Sequence, residues 1–315
     1  MVRFIVRRVL QLCIVSFLLS AATFALMKMA PGDPVRAILK PDEFVVTAEA
    51  EAELRRSLGL DQPVALQYVR WLGKVVRFDL GVSHVTGRPV AELLLDRLPV
   101  TLQLTGGALL VMAAIAFPLG VAAARGSGGF VDHASRLLAT LGASIPNFLL
   151  GLLLIYAFSF RLGWLPSMGT GTAVHLILPS ATLGLAFAAI YARVLRSGLL
   201  ESLSQDYVRA ARARGLSERR IVWRIAMRGA LPPVVTLFGM NIGALLGGSV
   251  VVEVMFSQPG LGSLAVGSIL SRDYPVIQGY VLFTGMGVIA VNAAVDLAYR
   301  RIDPRIRLSE EGGPV

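Results

Sequence analysis

Six long apolar runs separated by polar segments limit what this chain can fold into. They are Val9 to Met29, Thr101 to Ala124, Ser135 to Phe160, Leu176 to Arg193, Pro233 to Phe256 and Gln278 to Tyr299. Each is close to the roughly 20 residues a helix needs to cross a bilayer. Hydrocarbon offers no partner to backbone N–H and C=O groups, so such runs must satisfy them internally, as helices. The expectation is an all-α polytopic membrane protein with six transmembrane helices. Only 16% of the residues are charged, against about 25% for a soluble domain.

Charge placement orients the spans. Residues 1–8 hold three arginines, and the run over 9–29 is too long for a signal-peptide core and ends in Lys28 without a small-residue cleavage site. An uncleaved first span follows. The loop over 193–228 carries nine arginines and three acids, while the loops 161–175 and 257–277 carry one arginine each. Basic loops stay in the cytoplasm, so both termini, 1–8 and 300–315, are expected there. The net charge of +10 then reflects topology and not nucleic-acid binding. Cys13 is the single cysteine, so no intrachain disulfide can form.

Residues 30–100 form the one substantial non-membrane segment, with nine Lys/Arg against ten Asp/Glu. Ala48 to Leu58 reads as an acidic-started surface helix and Val64 to Phe78 as a second, with Tyr68 and Trp71 at an interface. Together they make a small external cap. The remainder, 101–315, is the membrane core. Ile145-Pro146-Asn147 should kink the third span. Gly239, Gly243, Gly247 and Gly248 favour close helix contacts on the fifth. Residues 257–277 read as an external re-entry.

Catalytic constellations are missing. His84, His133 and His175 have no paired-ligand spacing, and no nucleophile elbow, Walker A motif or dinucleotide fingerprint occurs. Asp296 sits beside Arg300 and Arg301 and reads as an interfacial ion pair. An ion-coupled carrier places acids along its pathway. Here the mid-membrane polar groups are Asn241 and Asn292, each open to a helix-bridging or a pathway role. Glu253, near the outer end of the fifth span, is open to an outer-gate role or to a snorkelling surface acid. The chain therefore carries neither a nucleotide site nor an ion relay. It binds no cofactor by this reading.

What it does carry is a basic plug, Asp206 to Pro233 (DYVRAARARGLSERRIVWRIAMRGALPP), within the cytoplasmic loop 200–231 and its continuation. Small residues at Ala210, Ala211 and Ala213 precede a break at Gly215. A second short helix from Glu218 to Met227 then runs to a double proline. A helix, a glycine turn and a helix suit insertion into another protein's groove.

Asp206, Arg209-Ala210-Ala211, Gly215-Leu216, Ile225 and Leu231-Pro232 resemble the "EAA" signature of permease subunits in binding-protein-dependent ABC importers, with Arg209 where that signature has Glu. PGDP (31–34), LGLDQP (58–63), DLGVS (79–83), RLPVTLQL (97–104), ILPSATLGL (177–185), FSQPGLG (256–262), RDYPVIQG (272–279) and DPRIR (303–307) are similar to the peptide/nickel branch. That branch often has His and Asn where this chain has Ile225 and Gly229. The resemblance implies a type I ABC importer permease fold and a coupling loop that docks on ATPase subunits. It implies a second, homologous permease subunit, two ABC ATPases that bind ATP and Mg, and an external substrate-binding protein. Its branch handles dipeptides, oligopeptides, glutathione or nickel. The short loop 162–175, with ASIPNFLLG (143–151), FPLG (117–120) and the polar tail, tips the expectation to free or chelated nickel. An ion-driven secondary carrier is the distant alternative.

Overall fold

The computed structural model describes residues 2–29, 35, 39, 47–57 and 59–302. The PGDP motif, Leu58 of LGLDQP and everything from Asp303 on lie outside the described residues, as does the side chain of Asp296 with its expected ion pair. The elements are α1 (Val2–Met29), α2 (Ala48–Ser57), α3 (Val64–Val75), α4 (Val90–Arg125), α5 (Phe130–Ser144), α6 (Asn147–Arg161), α7 (Ile177–Ser204), α8 (Asp206–Ala213), α9 (Glu218–Met255), α10 (Leu261–Leu270) and α11 (Tyr274–Ile302). Among the described residues the only strand-like pairing is the bridge between Val82 and Pro89. Five helices have the length and apolarity to cross a membrane, and α5 with α6 makes the sixth span if the bent pair is counted as one.

Several spans depart from their sequence boundaries, and α7 runs on to Ser204, past the expected Arg193. α4 begins at Val90, eleven residues before the expected Thr101, and its 36 residues reach about 54 Å. That is longer than the roughly 30 Å of hydrocarbon. Its first turns are held by an apolar cluster of Val90, Leu93, Leu94, Leu261 and Val276, so they fold as helix without lipid. The third span is broken rather than kinked, with 106° between α5 and α6. Ile145 takes extended dihedrals, the conformation a following proline favours, and Pro146 starts the next helix. The double proline does not end a helix: Pro232 and Pro233 both lie inside α9, which runs on from Glu218 to Met255. The six residues Ile221–Ala226 wind as a π-helical turn just before them. Membrane helices tolerate proline where such turns and neighbouring groups take up the freed carbonyls.

The described residues divide into two compact units. In the first, residues up to Val100 group with Pro259–Ile289, so this part of the expected 101–315 core packs with the segment expected to be external. Two of the motifs meet there. Ser83 Oγ, from DLGVS, donates to Asp273 Oδ2 of RDYP at 2.5 Å, and the His84 backbone N–H donates to Oδ1 at 3.1 Å. Ser83 and Asp273 are buried. Burial is the main influence holding the His84 imidazole below its ordinary pKa, with Asp273 opposing it. Serine, histidine and aspartate are thus neighbours without forming a nucleophilic triad, because the serine hydroxyl gives its proton-donor bond directly to the carboxylate. The arrangement is a clasp.

The second unit, Thr101–Gln258 with the chain from Ala290 on, is built around α4, α7 and α9. Met112, Ala116, Val121, Tyr191, Leu195, Leu199, Val222, Ala226 and Ala230 form its core. A Cβ on Gly198 would lie 3.0 Å from the Ala230 carbonyl oxygen, so glycine is what lets α7 and α9 touch along their backbones. Of the glycines expected to give α9 close contacts, Gly239 meets Val295, whereas a Cβ on Gly247 would meet nothing within 4 Å.

Candidate coupling site

The basic loop expected to be cytoplasmic folds as the sequence suggests up to its glycine. α7 ends at Ser204, Gln205 is extended, and α8 starts at Asp206. Gly215 has φ +77, a left-handed conformation that costs any other L-residue about 1–2 kcal/mol. The turn is closed by Gly215 N–H donating to the Arg212 carbonyl at 2.9 Å and Leu216 N–H to that of Ala211 at 3.3 Å. Arg212 Nε donates to Glu218 Oε1 at 2.8 Å, tying the end of α8 to the start of α9. Both groups are exposed, so this bridge adds geometry more than stability.

Beneath the turn is a private core. Val208, Ala211 and Ile221 are buried together, with Leu203, Leu216 and Ile225 packed on them. Helical spacing explains the set, since 208 and 211 share one face of α8. The other face carries Asp206, Arg209, Ala210 and Arg214, all exposed, as is Gly215. Asp206 and Arg209 form a surface pair at 3.2 Å. The residues singled out by sequence therefore sort into two groups. Asp206, Arg209, Ala210 and Gly215 are presented to the outside. Ala211, Leu216 and Ile225 are turned inward, so Ala211 is not free to line a partner's groove. Pro232 is half-buried within α9.

One anchor was not legible in the sequence. The Tyr207 hydroxyl and Ser202 Oγ hydrogen-bond at 2.6 Å, and a Cβ on Gly229 would lie 2.7 Å from that Ser202 oxygen. Glycine at 229 thus seats the pair against α9. A second anchor lies higher. Asp132 at the start of α5 is buried and meets the Arg196 guanidinium of α7, with Arg196 Nη2 donating to Oδ2 at 2.7 Å. The Gly128 N–H donates to the same oxygen at 2.9 Å. The signal for this pair was weak, because Asp132 and Arg196 are 64 residues apart and each reads singly as a loop charge.

The candidate pathway residues separate as well. Glu253 is fully buried, and Thr101 Oγ1 donates to its Oε1 at 2.7 Å, which removes the snorkelling alternative. Just beyond it, the buried Gln258 donates from Nε2 to the Gly169 carbonyl at 2.7 Å. Asn241 is half-buried on α9, and Asn292 is half-buried on α11. Among the described residues no group of three or more His, Cys, Asp or Glu is placed to hold a metal ion.

Mechanically, the exposed face of α8 sits on a small core shared with the end of α7 and the start of α9. Those two helices touch backbone to backbone at Gly198 and Ala230.

Residues 116–308 match the family model described as binding-protein-dependent transport system inner membrane component. Residues 1–105 match the N-terminal model of binding-protein-dependent transport system membrane components. The chain is 42% identical over 307 residues to the glutathione transport system permease protein GsiC of Escherichia coli O6:H1, covering 98% of this chain and 99% of that protein. The GsiC protein of Salmonella paratyphi A gives the same figures. Among solved structures, the inward-facing MetNI methionine ABC transporter aligns with a TM-score of 0.57 at 22% identity, over 67% of this chain and 96% of that chain. An amino acid ABC transporter crystallised with histidines aligns with a TM-score of 0.51 at 19% identity, over 67% and 94%. These two show the fold.

Proposed function

The chain belongs to the inner membrane components of binding-protein-dependent transport systems, a permease subunit of an ABC importer and not an enzyme, and from that premise we propose how it works and what it carries. The exposed face of α8, with Asp206, Arg209, Ala210 and Gly215, docks in a groove of an ATPase subunit. Two such ATPases supply ATP and Mg chemistry. Their closure moves α8, and the small core under it carries the motion to α7 and α9. A second, homologous permease subunit completes the pore, and an external binding protein delivers the substrate. Both chain termini lie on the cytoplasmic side.

The substrate is glutathione or a short peptide of similar size and polarity. The observation that carries this is the end-to-end 42% identity to permeases named for glutathione transport. The expectation of nickel is given up, since none of the relatives described above is named for it. The features behind that expectation, a short loop over 162–175 and the ASIPNFLLG run, report backbone geometry. Pro146 sets a helix break and the loop links two helices, whatever passes between them.

Uptake of labelled glutathione by cells with and without this gene tests the reading. Gene-dependent uptake that excess short peptide or glutathione suppresses, and nickel does not, is expected. Gene-dependent nickel uptake with no gene-dependent glutathione or dipeptide uptake would overturn the substrate assignment and leave the permease role intact.

A further inference from the structure

We propose that α3, in the segment expected to be an external cap, lies immersed in the outer leaflet of the membrane and binds phospholipid, with an apolar stripe among the acyl chains and a basic stripe at the phosphates. The first observation is depth. The Tyr68 ring of α3 packs against Phe17 and Phe24 of α1, with centroids 6.3 and 5.3 Å away, and its hydroxyl is 2.9 Å from Ser20 Oγ. Trp71 packs on Phe24 at 5.8 Å. The apolar span of α1 is Leu10–Met29, so Ser20 is near its middle. Nine residues of helix separate Ser20 from Met29, about 13 Å. Half the hydrocarbon thickness is about 15 Å. A helix whose side chain reaches mid-span cannot stand clear of the bilayer.

The second observation is the face α3 turns away from α1. Val69 is 62% exposed and Val76, in the closing turn, 73%. With Ala65 they make a stripe at helical spacing, and Phe78, just past the helix, is 84% exposed. Beside this stripe Arg70, Lys74 and Arg77 make a second, also exposed. No residue of the helix is buried. An apolar stripe flanked by long basic side chains fits acyl chains on one side and phosphate on the other, the lysine and arginine stems spanning the boundary. Lys28 Nζ, at the end of the α1 span, donates to Gln67 Oε1 and fixes the helix at that level.

The leaflet assignment rests on the topology proposed above, and the test separates the two. In a Cys13→Ser background, Asp61→Cys, Val69→Cys and Val76→Cys are placed singly in the full transporter. Right-side-out vesicles are treated with a membrane-impermeant maleimide. Asp61→Cys is expected to react, and Val69→Cys and Val76→Cys at least tenfold more slowly. A bimane on Val69→Cys, in vesicles of equal parts phosphatidylethanolamine and phosphatidylglycerol, is expected to be quenched by brominated acyl chains. The triple variant Arg70→Gln, Lys74→Gln, Arg77→Gln is expected to lose part of that quenching. Equal reactivity of all three thiols overturns the immersion. Protection of Val69→Cys that appears only when the external binding protein is added overturns it in favour of a protein-docking face. Reaction of Asp61→Cys only in inverted vesicles overturns the outer-leaflet assignment through the topology.

Discussion

Ala210 and Ala211 are adjacent and chemically identical, yet only Ala210 faces outward; Ala211 is packed under the turn with Val208 and Ile221. The sequence motif groups them, and burial separates them. Gly215 adds the turn that aims α8, and its φ of +77 makes Gly215→Ala cost about 1–2 kcal/mol locally. A larger change goes further under the proposed coupling. Gly215→Arg is expected to abolish uptake while the complex still inserts and co-purifies with its ATPases; normal uptake by this variant would sink the coupling role of the turn. Near the C-terminal end of α9, Thr101 donates to the fully buried Glu253, and losing one donor to a buried acceptor costs about 1–3 kcal/mol. Thr101→Val should lower the melting temperature of the purified complex, whereas Thr101→Ser should not.

The helices tell how far the sequence could be read. The apolar runs gave the spans because a 20-residue hydrocarbon crossing leaves a signature in composition. Their ends were harder. α4 starts three turns early because protein, and not lipid, covers Val90, Leu93 and Leu94, and hydropathy cannot tell the two coverings apart. Pro232 and Pro233 looked like a terminus because the rule for soluble helices was applied to one that continues into the membrane. The exposed coupling residues were legible as a basic segment with small residues and a glycine. Ser202, Tyr207 and Gly229, which brace it, were not, because their meeting depends on how α7 and α9 cross. That crossing is itself testable. Gly198→Leu would force side-chain atoms into the Ala230 backbone, and overpacking of this kind costs about 1–3 kcal/mol. Loss of uptake with ATPase binding retained is expected; unchanged uptake would mean that α7 and α9 need not move as one.

In the whole transporter, under the proposed function, the chain supplies a path and a handle, and partner subunits supply energy and selection. The family match over 116–308 and the 42% identity to GsiC establish the permease, and the MetNI structure its fold. The docking of the handle is the central claim that remains to be measured. In a Cys13→Ser background, Ala210→Cys and Ala211→Cys would each be co-expressed with the ATPase subunits and exposed to a short bifunctional thiol reagent. Ala210→Cys should cross-link to an ATPase subunit in high yield and Ala211→Cys hardly at all. A stable complex in which Ala210→Cys gives no cross-link, or no more than Ala211→Cys, would contradict the account.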